Sequence, residues 1–349
     1  MKSPILLVPG LLAAMALAAS CREPPGPWTV VRLSTDAEFR DVYFLDAHRG
    51  WAVGGDHSLD GGLLGSTEDG GKTWSFRSGL APSPRSWSGL HLRAIEFLDE
   101  RVGCAVGDKG LILRTTDGGE HWHPVFRGSR PFHRLEDLQL LDDRLGWAVG
   151  RMGIFRTEDG GESWASWSKS SWIQNALAVH FVDESHGVVV GSTGVILRST
   201  DGGENWERVD NPAATNGHHL VGVHFADELH GWAVGEHGRI FHTADGGMSW
   251  SLQRRGDEYL TDVHFVDATT GWAVGYVRAK GTSKVLHTSD GGATWTVDAV
   301  YSGDEAQAID FINDPELGHR GWVVGVRSRD EPQAFLRYET APPTVPNEG

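Results

Sequence analysis

One eight-residue phrase is written six times along this chain. TEDGGKTW ends at Trp74, and TTDGGEHW, TEDGGESW, STDGGENW, TADGGMSW and TSDGGATW end at Trp122, Trp164, Trp206, Trp250 and Trp295. The aspartates, Asp69, Asp117, Asp159, Asp201, Asp245 and Asp290, recur every 42 to 48 residues, a period that belongs to propellers and solenoids. A catalytic centre is normally built once, whereas a phrase repeated at a steady period is architecture. The Asp and its two glycines make a tight turn: the carboxylate accepts backbone N–H groups and the glycines permit positive φ. The Trp that follows is placed to pack over that turn.

A second element recurs seven times, from RGWAVGG at Arg49 through VGCAVGD, LGWAVGR, HGVVVGS, HGWAVGE and TGWAVGY to RGWVVGV at Arg320. An alternating segment such as DVYF, AIEF or DVHF precedes it, and another such as LILRT or RIFHT follows it. Each unit therefore reads as four short strands separated by Gly- and Asp-marked turns, and four strands per unit make a propeller blade. Seven such units meet only six Asp–Trp turns, because the last unit ends AFLRYETAPP without a fourth strand. PWTVVRL, from Pro27, resembles the fourth strand TWTVDAV of the sixth unit, with Trp28 in the place of Trp295. The expected fold is all-β: a seven-bladed propeller over residues 28–340, closed by an N-terminal strand that completes the last blade and removes the open edges.

The termini read differently. Residues 1–20 have one Lys, a short apolar stretch broken by Pro and Gly, and small residues before Cys21, which is a processed leader rather than a membrane span. It resembles a bacterial lipoprotein signal with Cys21 as the lipid attachment site, although Ala18 stands where a large aliphatic residue is usual; a plain secretory signal is the alternative. Residues 21–27 are expected to be a short tether and 341–349 a disordered tail. Export to the cell envelope follows from either leader. Only Cys21 and Cys104 are present, so no disulfide framework is expected, and Cys104, in VGCAVG, reads as a small buried apolar residue. The net charge of −16 and the lack of a basic run argue against nucleic acid as partner.

The S/T-x-D-x-G-x-x-W phrase resembles the Asp box of sialidases, some glycoside hydrolases, sortilin-type receptors and photosystem II assembly factors. With the GWAVG strand before it, the full repeat is similar to that of the photosystem II assembly-factor family, over nearly all of residues 28–340. The resemblance implies an exported propeller, commonly lipid-anchored, that works without cofactor, metal or catalysis by binding a protein partner, a component of a membrane complex. It also implies that the Asp boxes lie on the face away from the binding site. The alternative is a carbohydrate-binding or hydrolytic propeller of sialidase type. None of Tyr43, Tyr259, Tyr276, Tyr301 and Tyr338 stands in a sialidase context, and such an enzyme would need a deep cleft with two carboxylates about 5 to 10 Å apart.

The remaining chemistry is sparse. His180, His224 and His264 share one register position with Tyr43, Glu96, Gln139 and Asp310 on the innermost strands; such a ring reads as polar groups wetted by the channel or bonded between blades before it reads as a metal cluster. The face opposite the boxes carries the connections that break the repeat. Arg85, Trp87, Arg127, Arg130, Trp172, His219, Arg254, Arg255 and Tyr259 fall there, and Arg and aromatic residues are favoured interface anchors. They are the candidate partner-binding residues, the alternative being that the Trp side chains merely cover blade junctions. Monomer is the expected state.

Overall fold

A computed structural model of the chain describes residues 27–340 apart from 34, 36, 56–61, 79, 81–89, 129–132, 152, 168–174, 211–216, 303 and 328–333. The leader, Cys21 and the tail lie outside the described residues. Seven four-stranded antiparallel sheets form the expected propeller. The innermost strands are Glu38–Phe44, Leu92–Phe97, Leu135–Leu140, Ala176–Phe181, Leu220–Phe225, Tyr259–Phe265 and Asp304–Asp314. The second strands carry the WAVG phrase and are buried on both faces, as in Gly103–Gly107 and Gly146–Gly150. That double burial is why the phrase reads as an unbroken apolar run. Outer strands such as Ser75–Ser78 are mostly exposed.

The ring closes as the sequence predicts. Trp28–Arg32 pairs antiparallel with Ala334–Glu339, Trp28 facing Tyr338, so the two chain ends share the last blade. Trp28 is buried, and its Nε1 donates to Asp298 Oδ2 of the sixth blade at 2.7 Å.

Aromatic layers join the blades. The Trp of a second strand stacks on the Phe that ends the next innermost strand: Trp51 on Phe97, Trp147 on Phe181, Trp232 on Phe265, Trp272 on Phe311 and Trp322 on Phe44, with centroids 3.4 to 3.7 Å apart. The Asp-box Trp of the same blade meets that Phe edge-on, as Trp122 meets Phe97 at 5.9 Å. Trp28 does the same to Phe311 at 6.0 Å, which confirms its place in the pattern. Two junctions depart. Between the second and third blades Cys104 and Leu140 replace the pair within one buried cluster, and burial pushes the Cys104 thiol up to about 12. Between the fourth and fifth, Val188 replaces the Trp while Phe225 stays.

Candidate functional site

The Asp-box turns form one rim, here called the bottom. In the first box Thr67 Oγ1 donates to Asp69 Oδ1 at 2.9 Å and accepts from Gly71 N at 3.0 Å. Asp69 Oδ1 also accepts from Thr73 N at 2.9 Å, and Oδ2 from Thr73 Oγ1 at 2.7 Å. Gly70 and Gly71 take φ of 71° and 82°, values that glycine adopts without strain. Trp74 Nε1 donates to Gly71 O at 3.1 Å. The same Ser/Thr–Asp bonds recur in the other five boxes. Burial alone would raise the Asp117 carboxyl, but bonds from the His121 backbone and ring hold it down at about 2. The preceding blade also grips each box: Trp51 Nε1 donates to Gly118 O at 3.1 Å and Trp147 Nε1 to Gly202 O at 3.0 Å. The carboxylates are spent within their own turns, so the boxes are staples.

Above them, the seven-membered ring of like positions is a belt of bonds between blades. Tyr43 Oη donates to Phe97 O at 2.8 Å, Glu96 Oε2 accepts from Leu140 N at 2.6 Å, and Gln139 bonds both N and O of Phe181. His180 and His224 meet ring to ring at 4.9 Å. His224 Nδ1 accepts from Phe265 N at 3.4 Å, His264 pairs with Asp310 at 3.3 Å, and Asp310 Oδ2 accepts from Phe44 N at 2.6 Å. Two residues earlier on their strands, Asp41, Asp137 and Asp262 accept from Ile95, Val179 and Ile309 N of the following blades. Burial pushes Asp137, Asp262 and Asp310 up to about 7 and Glu96 to about 8. It also pulls His180 down to about 4 and His264 to about 3. The expectation of groups bonded between blades is met: the belt ties the ring.

At the top mouth of the channel the chemistry changes. A cavity of about 320 Å³ is lined by one residue from each innermost strand, Arg40, Arg93, Glu136, Leu177, Val221, Thr261 and Gln307, with Tyr259 and Tyr276 beside them. Arg40 reaches Gln307 Oε1 at 3.2 Å and Glu38 Oε2 at 3.0 Å, and its buried Nε has no hydrogen-bond partner. Arg93 Nε donates to Asp108 Oδ1 at 2.9 Å, and its Nη1 lies 3.4 Å from Glu136 Oε2. Glu136 also pairs with Arg134. Tyr259 and Tyr276 stack with centroids 5.4 Å apart, and Arg278 lies over the Tyr276 ring at 5.5 Å. Burial pushes the Tyr259 phenol up to about 12. The mouth thus joins two guanidinium groups, two phenols and an aliphatic wall, a set suited to holding an extended polar segment.

A family model described as photosynthesis system II assembly factor YCF48 matches residues 22–130, 85–173, 130–210 and 166–255, which together run from 22 to 255. The chain belongs to that family. It is 30% identical over 168 residues to the photosystem II assembly lipoprotein Ycf48 of Synechococcus sp. (strain CC9902), a match covering 46% of this chain and 46% of that protein. The chain thus spans about half the length of that relative. It is 25% identical to the Ycf48 lipoprotein of Picosynechococcus sp. (strain ATCC 27264 / PCC 7002 / PR-6), covering 56% of this chain and 83% of the relative. A solved structure described as YCF48 bound to D1 peptide superposes with a TM-score of 0.68 at 22% identity, covering 90% of this chain and 97% of that one. The last comparison establishes the fold.

Within this YCF48-family ring, the candidate residues separate into groups. Arg85, Trp87, Arg130 and Trp172 lie outside the described residues. Arg127 and Arg255 are exposed and Tyr259 lines the mouth. His219 is half-buried, its N–H on Glu236 and its Nδ1 accepting from Thr193 N at 3.0 Å. Arg254 holds Glu258 with two bonds of 3.1 Å and also donates to Gly238 O. Lys284 bonds both Glu258 and Asp257, and Lys280 joins Asp257. These pairs brace the long loop of the sixth blade, so Arg254 has a scaffold partner. Arg40, Arg93 and Tyr276 were missed. Writing the seven innermost strands in register would have found the arginines, one place before the Asp/Ala column.

Proposed function

We propose that this protein is an exported, lipid-anchored, non-enzymatic scaffold that holds an extended segment of a membrane-complex protein at the top mouth of its channel. Arg40 carries the reading: its half-buried guanidinium, held by Gln307 and Glu38 and with a buried Nε that has no partner, lines a cavity with aromatic walls, the placement of an anchor for a carbonyl or carboxylate. The relative solved with a D1 peptide supports a peptide as occupant, and the lipoprotein names of the relatives support attachment through Cys21. Among the described residues lining the mouth the one carboxylate is Glu136, already paired with two arginines, which favours binding over acid–base hydrolysis.

The test is affinity capture from native membranes with the parent and with an Arg40→Gln/Arg93→Gln variant, alongside a Cys21→Ala variant. A discrete membrane protein captured by the parent should be reduced about ten-fold or more with the double variant. The Cys21→Ala protein should leave the membrane fraction. Equal capture by parent and double variant would place the site elsewhere.

A further inference from the structure

Five blade junctions carry an indole stacked on a phenyl ring, and they define what the junction between the fourth and fifth blades lacks. There Phe225 packs closely against Gly231, where a Cβ would meet the ring at 2.6 Å. Trp250 stands edge-on at 6.0 Å, as in sister blades. The remaining place, filled elsewhere by Trp51, Trp147, Trp232, Trp272 or Trp322, is given to Val188. Arg198 Nε takes over the indole's hydrogen bond, donating to Gly246 O at 2.8 Å. The indole's polar task is done and its apolar task is left open. A cavity of about 210 Å³ occupies that place, lined by His180, Val188, Arg198, Phe225, Leu229 and Met248 among others. It exceeds the roughly 150 Å³ that accepts benzene in an engineered core.

The second substituted junction is different in kind. There Cys104 and Leu140 changed together, and a Cβ on Gly161 would lie 2.5 Å from Cys104 Sγ. Only beside Phe225 is the ring kept without its partner. The cavity opens to the bottom face, where Leu229 is 53% and Met248 62% exposed, two of the four large exposed hydrophobics among the described residues. A ring-sized pocket whose mouth sets the pliable Leu229 and Met248 beside the polar His186, Glu228 and Asp245 has the form of a protein hot spot.

We propose that this pocket receives an aromatic side chain of a partner protein, seated on Phe225 as the sister indoles are seated on theirs. The site is distinct from the top mouth and stands whether or not the mouth binds a segment. Val188→Trp should fill it from within, because Arg156 and Arg337 already coexist with Trp147 and Trp322 at the matching positions.

The test is ligand-observed NMR and titration of the purified protein with acetyl-Gly-Trp-Gly-amide, its alanine counterpart and free indole. The tryptophan peptide should bind at least about ten-fold more tightly than the alanine peptide. Val188→Trp should lose that preference, and so should Leu229→Glu/Met248→Glu, which alters exposed positions and serves if the first variant fails to fold. Equal binding of the two peptides, or an undiminished preference in a folded variant, overturns the proposal. Binding of indole without the tryptophan peptide also overturns it, since the pocket would then serve free aryl compounds.

Discussion

The bottom and top of the ring are made by the same strands, yet one repeats and the other does not. At the bottom, six turns use a hydroxyl, a carboxylate, two glycines and an indole in the same way, and each acceptor is satisfied within the turn or by the neighbouring blade. At the top, the seven matching positions hold Arg, Arg, Glu, Leu, Val, Thr and Gln. A position that serves each of these turns alike is under the same physical demand six times and converges on one solution. The unlike residues of the mouth fit the single outside segment proposed for it. The belt lies between: its side chains differ in type, yet each reaches across a junction to the next blade by a hydrogen bond, an ion pair or, for His180, a ring contact.

The largest expected effect breaks the bottom half of the comparison. Trp147→Ala empties a fully buried stacked site and removes the bond to Gly202 O, and should cost about 3 to 5 kcal/mol of stability by chemical denaturation. Partner capture by the protein that remains folded should be unchanged. Arg40→Gln at the top should reverse the pattern, costing about 1 kcal/mol or less of stability while weakening partner binding about ten-fold. If the two substitutions affected folding and binding in equal proportion, the division between the faces would fail.

Glu96→Gln sharpens the account of the belt. Burial raises the Glu96 carboxyl to about 8, with the Leu140 N–H pulling the other way. The native chain then keeps a proton that the unfolded chain has released. The stability Glu96 contributes is therefore present below the ordinary carboxylate range and lost as pH rises through about 8. Gln139 fills the same position one blade on and makes both bonds, so glutamine fits. Urea denaturation at about pH 5 and pH 8.5 should show the variant gaining about 1 kcal/mol or more at the higher pH and little at the lower. The same slope in both proteins would mean that Glu96 is ionised in the fold.

The fold was legible because its determinants are local and repeated. The box turn is contained within Thr67–Trp74, and seven copies of one strand against six turns required Trp28 to complete the last blade. The binding face was harder to read. The loops that break the repeat carry the conspicuous Arg and aromatic residues, and of these Tyr259 reaches the mouth while Arg254 is committed to Glu258. Arg40 and Arg93 sit inside ordinary strands, FRDVYF and LRAIEF, and become neighbours of the Tyr259–Tyr276 pair only when the ring closes. Convergence around an axis is a property of the closed ring, and no stretch of chain displays it. The vacant place beside Phe225 was visible as HGVVVGS among GWAVG strands, but its meaning depended on the stacking geometry of the other five.

The central claim is that the proposed membrane-complex segment binds at the mouth, while the box turns hold the fold. Site-specific photo-crosslinking in native membranes tests it most directly, with the photoreactive residue placed at Tyr276 in the mouth or at Lys72, exposed on the first box. The account predicts one discrete crosslinked partner from Tyr276, competed by unlabelled parent protein, and none from Lys72. A partner captured from Lys72 but not from Tyr276 would contradict it.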